Sequence, residues 1–157
     1  MKKVILLSFL SFIITNSYSQ CNVKKTIDKF ENKESYHIGL VDKIGFGKFI
    51  KNGREDIFLF LRSSGPSTHN GKGVYILLKD GSKIIRESAD LRIGLNSNRL
   101  FGGFDYSYLS FIVLDDSEIA QLLKSPITDF KLYIYEDSIK SDIQNSDLAL
   151  KCIREAK

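Results

Sequence analysis

FDYSYLSFIVL (Phe104–Leu114), DDSEIAQLLKS (Asp115–Ser125) and PITDFKLYIYE (Pro126–Glu136) follow one another without a break. In the first segment Phe104, Tyr106, Tyr108, Ser110, Ile112 and Leu114 point one way, and Asp105, Ser107, Leu109, Phe111 and Val113 the other. That two-residue period is a strand's, and aromatic and β-branched side chains suit a pleated surface. Asp115 caps a helix, with Glu118 three residues on to complete a capping box. Ile119, Leu122 and Leu123 make its apolar stripe, and Pro126 stops it. Ile127–Tyr135 reads as a second strand, with Phe130, Leu132 and Ile134 on one face and Asp129, Lys131, Tyr133 and Tyr135 on the other. This strand–helix–strand unit is the expected core.

Short strands precede it. Thr26–Phe30 and Ser35–Val41 are extended, and Glu31–Glu34 is a polar turn. Ile44–Ile50 is a strand interrupted by Gly45 and Gly47, where a bulge or a close backbone approach is expected. Asn52-Gly53 is a strong hairpin signal, because both residues tolerate positive φ. Ile57–Arg62 returns the chain, apolar on both faces and so expected between two packed layers. Ser63–Lys72 is a polar loop. Val74–Leu78 and Ser82–Arg86 flank a second hairpin at Asp80-Gly81; Ser88–Leu95 is a further short strand and Asn96–Gly103 a turn. The last expected helix, Ser141–Ala156, carries Leu148, Ala149, Cys152 and Ile153 on one stripe, turning the thiol toward the body.

The first residues have a different character. Lys2 and Lys3 precede an apolar run, Val4–Ile14, and Ser17-Tyr18-Ser19 is a small-x-small cleavage site. Residues 1–19 therefore read as a signal peptide, and residues 20–157 as a single β-rich domain exported to the periplasm or beyond the cell. The run is shorter than the roughly 20 residues of a transmembrane helix. The formal charge of +4 falls to +2 without Lys2 and Lys3, and the remaining lysines are scattered among acids. No clustered basic face for nucleic acid is expected. Cys21 and Cys152 are the two cysteines. In an oxidising compartment they read as a disulfide. A lipoprotein acylated on Cys21 is the rival reading; Tyr18 and Gln20 stand where such signals carry an aliphatic and a small residue.

Catalytic chemistry is sparse. His37 and His69 are the two histidines, and neither has a second ligand at zinc spacing, so no metal and no cofactor are expected. Ser67 and His69 share a polar loop without the strand-to-helix context of a nucleophile elbow. Gly45-Phe46-Gly47 lies within a strand, not before a helix, and so does not cradle phosphate. No catalytic residue is assigned. The most suggestive surface is Tyr133 and Tyr135 beside Lys131, since tyrosines on a wet sheet face stack on sugars or anchor a protein contact.

The run Phe111-Ile112-Val113-Leu114, Asp115, Ile119, Leu122-Leu123, Pro126-Ile127 and Phe130-Lys131-Leu132-Tyr133 resembles a pattern in an uncharacterised family of small secreted β-rich proteins of Gram-negative bacteria. The ending Ser17-Tyr18-Ser19-Gln20 is similar to theirs as well. The resemblance covers residues 104–135 and implies export and a β-rich fold; it carries no catalytic residues.

The expected fold is mainly β: an antiparallel sandwich, or one curved sheet, with a short helix inserted late and a C-terminal helix across it. The expected function is non-enzymatic binding of an unknown protein or glycan. A small extracytoplasmic hydrolase and an inhibitor or immunity-type protein are the alternatives.

Overall fold

The computed structural model describes residues 21–38, 43–65, 71–98, 103–139 and 146–157. The strands are β1 (Val23–Asp28), β2 (Lys33–Ile38), β3 (Ile44–Lys51), β4 (Arg54–Gly65), β5 (Lys72–Leu78), β6 (Lys83–Asn98), β7 (Gly103–Val113), β8 (Ile127–Leu132) and β9 (Tyr135–Ser138). Two helices, α1 (Asp116–Lys124) and α2 (Ser146–Glu155), stand before β8 and after β9. The strands pair antiparallel in one sheet of order β1-β2-β3-β4-β7-β6-β5-β8-β9. The mainly β class and the two late helices are as expected, and the strands form a single sheet.

That sheet curls. From β4 to β9 is five strand spacings, about 24 Å if flat. Yet Lys43, beside β3, forms an ion pair with Asp137 of β9. The Tyr135 ring of β9 stacks on Tyr108 of β7 with centroids 4.4 Å apart. The β4–β7 part therefore faces the β8–β9 part across the core, while β1 and β9 remain edges and no barrel closes. The bend falls in β6. Its first residues, Lys83–Arg86, pair with β5, and Leu91–Asn98 pair with β7. Between Lys72 and Val74 the β5–β6 register shifts, so β6 carries extra residues there. Ser82–Arg86 and Ser88–Leu95 are thus one bent strand, in which the extra residues at Glu87–Asp90 are taken up as a bulge and not as a turn.

Leu59, Leu61, Val74, Ile76, Tyr108, Ile127 and Leu132 fill the interior with Leu150 and Ile153 of α2. The α1 capping box is present: Asp115 Oδ1 accepts from the Glu118 amide at 2.9 Å, and Glu118 Oε2 accepts from the Asp115 amide at 3.0 Å. Arg86 of β6 donates to the same Glu118 oxygen at 2.6 Å, tying the helix start to the sheet. Cys21 and Cys152 are bonded, as expected, with Cα atoms 5.6 Å apart. Lys48 of β3 is 2 % exposed, and its ammonium donates to the Arg154 and Ala156 carbonyls at the end of α2. A cation there satisfies carbonyls that helix geometry leaves without amide partners.

Several boundaries depart from the sequence reading. The first strand is Val23–Asp28, and Phe30 is fully exposed in the turn after it. Strand β4 continues through Ser63–Gly65, whose small side chains stay in the ladder with β7 instead of opening the loop. Its outward Phe58 and Phe60 are covered by neighbouring aromatic rings and not by a second layer. Strand pairing also persists to Asn98 and Gly103, inside the expected turn. Asn52-Gly53 turns as expected, with φ of 53° and 78°. The expected helix start at Ser141, the end of the Ser35–Val41 strand, Ser67 with His69, and the signal segment lie outside the described residues.

Candidate functional site

Ile127–Tyr135 is not one strand. The chain reverses between Leu132 and Tyr135, which pair with each other, leaving Tyr133 and Ile134 as a two-residue hairpin loop. Tyr133 adopts φ 57°, unusual for a bulky side chain. Two contacts fix it there. Its amide donates to the Gly73 carbonyl at 3.0 Å. Its ring lies against Gly71 so closely that a Cβ at that position would sit 2.2 Å from the ring. Sequence alternation carried Tyr133 and Tyr135 to one face; the reversal separates them. Lys131 and Tyr133 border the outer face of β8, whereas Tyr135 turns inward, where Tyr108 donates a hydrogen bond to its hydroxyl at 3.2 Å. Burial, then the Tyr135 hydroxyl, push the Tyr108 phenol up to about 12. A Cβ at Gly65 would lie 1.9 Å from the Tyr135 ring, so that small residue makes the inward pocket.

The outer faces of β6, β5, β8 and β9 enclose an open groove of about 710 Å³. Register sets its floor. Ile85, Tyr75, Lys131 and Glu136 form one cross-strand row, and Lys83, Leu77, Asp129 and Ser138 form the next. Tyr75 stands outward because Val74, Ile76 and Leu78 take the inward positions and are at most 1 % exposed. Its ring approaches Gly73, where a Cβ would be 3.2 Å away. The Tyr133 ring thus rests on Gly71, just before β5, and the Tyr75 ring approaches Gly73 within it. Both are a little over one third exposed, and Ile85 is half exposed.

Polar groups border the rings. Lys131 pairs with Glu136 at 3.0 Å, and Ser138 donates to Asp129 at 2.6 Å. Lys83 has no carboxylate partner among the described residues. The groove therefore offers aromatic faces, an ammonium and carboxylates at the surface, which suits hydrogen bonding to a neutral polar ligand. Among the described residues no group of three His, Cys, Asp or Glu side chains could hold a metal ion, and no helix is long and apolar enough to cross a membrane. Of the three residues expected to bind, Lys131 and Tyr133 line the groove. Tyr75, Ile85, Lys83 and Asp129 were not singled out; the Gly71-x-Gly73-x-Tyr75 spacing is the signal that could have found Tyr75. No family model, curated protein or solved structure matches the chain.

Proposed function

We propose that this chain is an exported, non-enzymatic binding domain whose groove takes a glycan across Tyr75 and Tyr133. The observation that carries the reading is that the rings of Tyr133 and Tyr75, held against Gly71 and Gly73, both line this one groove. Sugar rings present C–H faces for aromatic stacking, and their hydroxyls match the Lys131–Glu136 and Asp129–Ser138 pairs beside the rings. Export, through a signal peptide at residues 1–19 to the periplasm or outside, belongs to the same proposal, as does membership of the secreted β-rich family. The Cys21–Cys152 bond supports it, since such bonds persist in oxidising compartments.

The test is binding to a glycan array, followed by calorimetry with the glycan retained. Tyr75→Ser and Tyr133→Gly are each expected to weaken binding about tenfold, the equivalent of one lost ring contact. Glycine at position 133 keeps the positive φ of the turn. Unchanged affinity in both variants would remove the groove assignment. Absence of any retained glycan, with one envelope protein binding stoichiometrically instead, would move the ligand class to protein.

A further inference from the structure

A second aromatic surface lies on the outer face of β3, β4 and β7. Phe58 packs on Phe49 with centroids 4.3 Å apart and on Phe111 at 4.6 Å, and Phe60 meets Phe111 edge-on at 5.1 Å. The opposite face of these strands is the one that carries Lys48, Leu59 and Ile112 into the core beneath α2. The outer face is open: Phe111 is 39 % and Val113 51 % exposed. One row further along, Arg62, Leu109 and Arg92 stand side by side across three strands. Both arginines are exposed, and neither guanidinium has an ion-pair or hydrogen-bond partner among the described residues. The acids Asp56 and Asp90 on these strands are already engaged, with Arg54 and Lys72.

This face has an unbalanced chemistry. Strands β4 and β7 are paired on both sides, so their ladders leave no edge for another strand. The cluster of phenylalanines with Leu109 and Val113 supplies area without a hydrogen-bonding group. Protein interfaces carry about one hydrogen bond per 100–200 Å²; a lipid interface requires apolar side chains and compensated charge. The two arginines, about two strand spacings apart, reach separate anionic groups. We propose that this face docks on an anionic lipid surface, with Phe111 and Val113 entering the headgroup boundary and Arg62 and Arg92 meeting lipid phosphates. This inference does not rest on the glycan reading.

The test is sedimentation of the full chain with vesicles containing phosphatidylglycerol. Wild type is expected to pellet with them. Arg62→Gln with Arg92→Gln is expected to weaken binding about thirtyfold at an unchanged melting temperature. Val113→Asp, at an exposed position, is expected to weaken it as well. Comparing variants cancels any contribution of the apolar Val4–Ile14 run, which all of them share. Failure of wild type to bind, or equal binding by the arginine variant, would overturn the proposal. So would a dimer in solution that Val113→Asp splits, because the face would then be covered by a second copy.

Discussion

Breaking the Cys21–Cys152 bond isolates what the covalent link contributes. It joins residues 131 apart, from just before β1 to the buried face of α2. In the chain-entropy account, a loop of that length removes about 17 cal/mol/K from the unfolded ensemble, or about 5 kcal/mol at 25 °C. The folded state should survive the loss. Leu150 and Ile153 stay fully buried, and Lys48 still holds the carbonyl end of α2. Reduction should therefore lower stability without abolishing the fold. With a urea dependence of about 2 kcal/mol per molar, the midpoint should fall by roughly 2.5 M, and the slope should rise because the released chain exposes more surface. The assay is urea unfolding followed by circular dichroism, on oxidised protein and on the Cys21→Ala, Cys152→Ala double variant. A midpoint change below about 0.5 M at constant slope would refute the reasoning: the unfolded chain would then hold its ends together without the bond.

The other two stability predictions concern tyrosines. Burial and the Tyr135 hydroxyl push the Tyr108 phenol up to about 12 in the fold, from an ordinary value of 10.0. A raised folded value means that its contribution is complete below pH about 10 and is lost as pH climbs toward 12, by roughly 2–3 kcal/mol. Tyr108→Phe should flatten that part of the alkaline stability profile, read as urea midpoint against pH; an identical profile would count against it. At Tyr133, φ 57° penalises any residue with a Cβ. Tyr133→Gly should be more stable than Tyr133→Ala by about 0.5–1 kcal/mol, the reverse of the usual order in regular structure. Alanine equal to or better than glycine in thermal melts would mean that the turn relaxes after the ring is removed.

How legible the molecule was depended on how local its determinants are. The α1 caps, the Asn52-Gly53 turn and the inward set Tyr108, Ser110 and Ile112 rest on residues within a few positions of each other, and they were readable. The reversal at Tyr133 was not. Its sequence, Leu-Tyr-Ile-Tyr, has no glycine, asparagine or proline, and the turn depends on Gly71 and Gly73, some sixty residues earlier. Continuous alternation was therefore the natural reading, and it put Tyr135 on the wrong side. Lys48 was missed for the same reason: the carbonyls that make its burial tolerable arrive more than a hundred residues later. The cysteine pairing was accessible because two cysteines leave one intramolecular connectivity.

The curl of the sheet gives the two surfaces a relation that neither shows alone. Tyr108 of β7 and Tyr135 of β9 meet inside the core, so β7 and β9 turn their outer faces away from each other. The Phe111 surface belongs to the first of these layers, and the groove of Tyr75 and Tyr133 to the second. A chain docked on lipid through Phe111, Arg62 and Arg92 would thus hold its groove toward solvent. The two proposals then require independent responses. Arg62→Gln with Arg92→Gln should leave glycan affinity unchanged, and Tyr133→Gly should leave vesicle binding unchanged, because groups this far apart with no shared partners act additively. Loss of both activities in either variant would instead mean one surface doing both jobs, and the opposed-face geometry could not accommodate that.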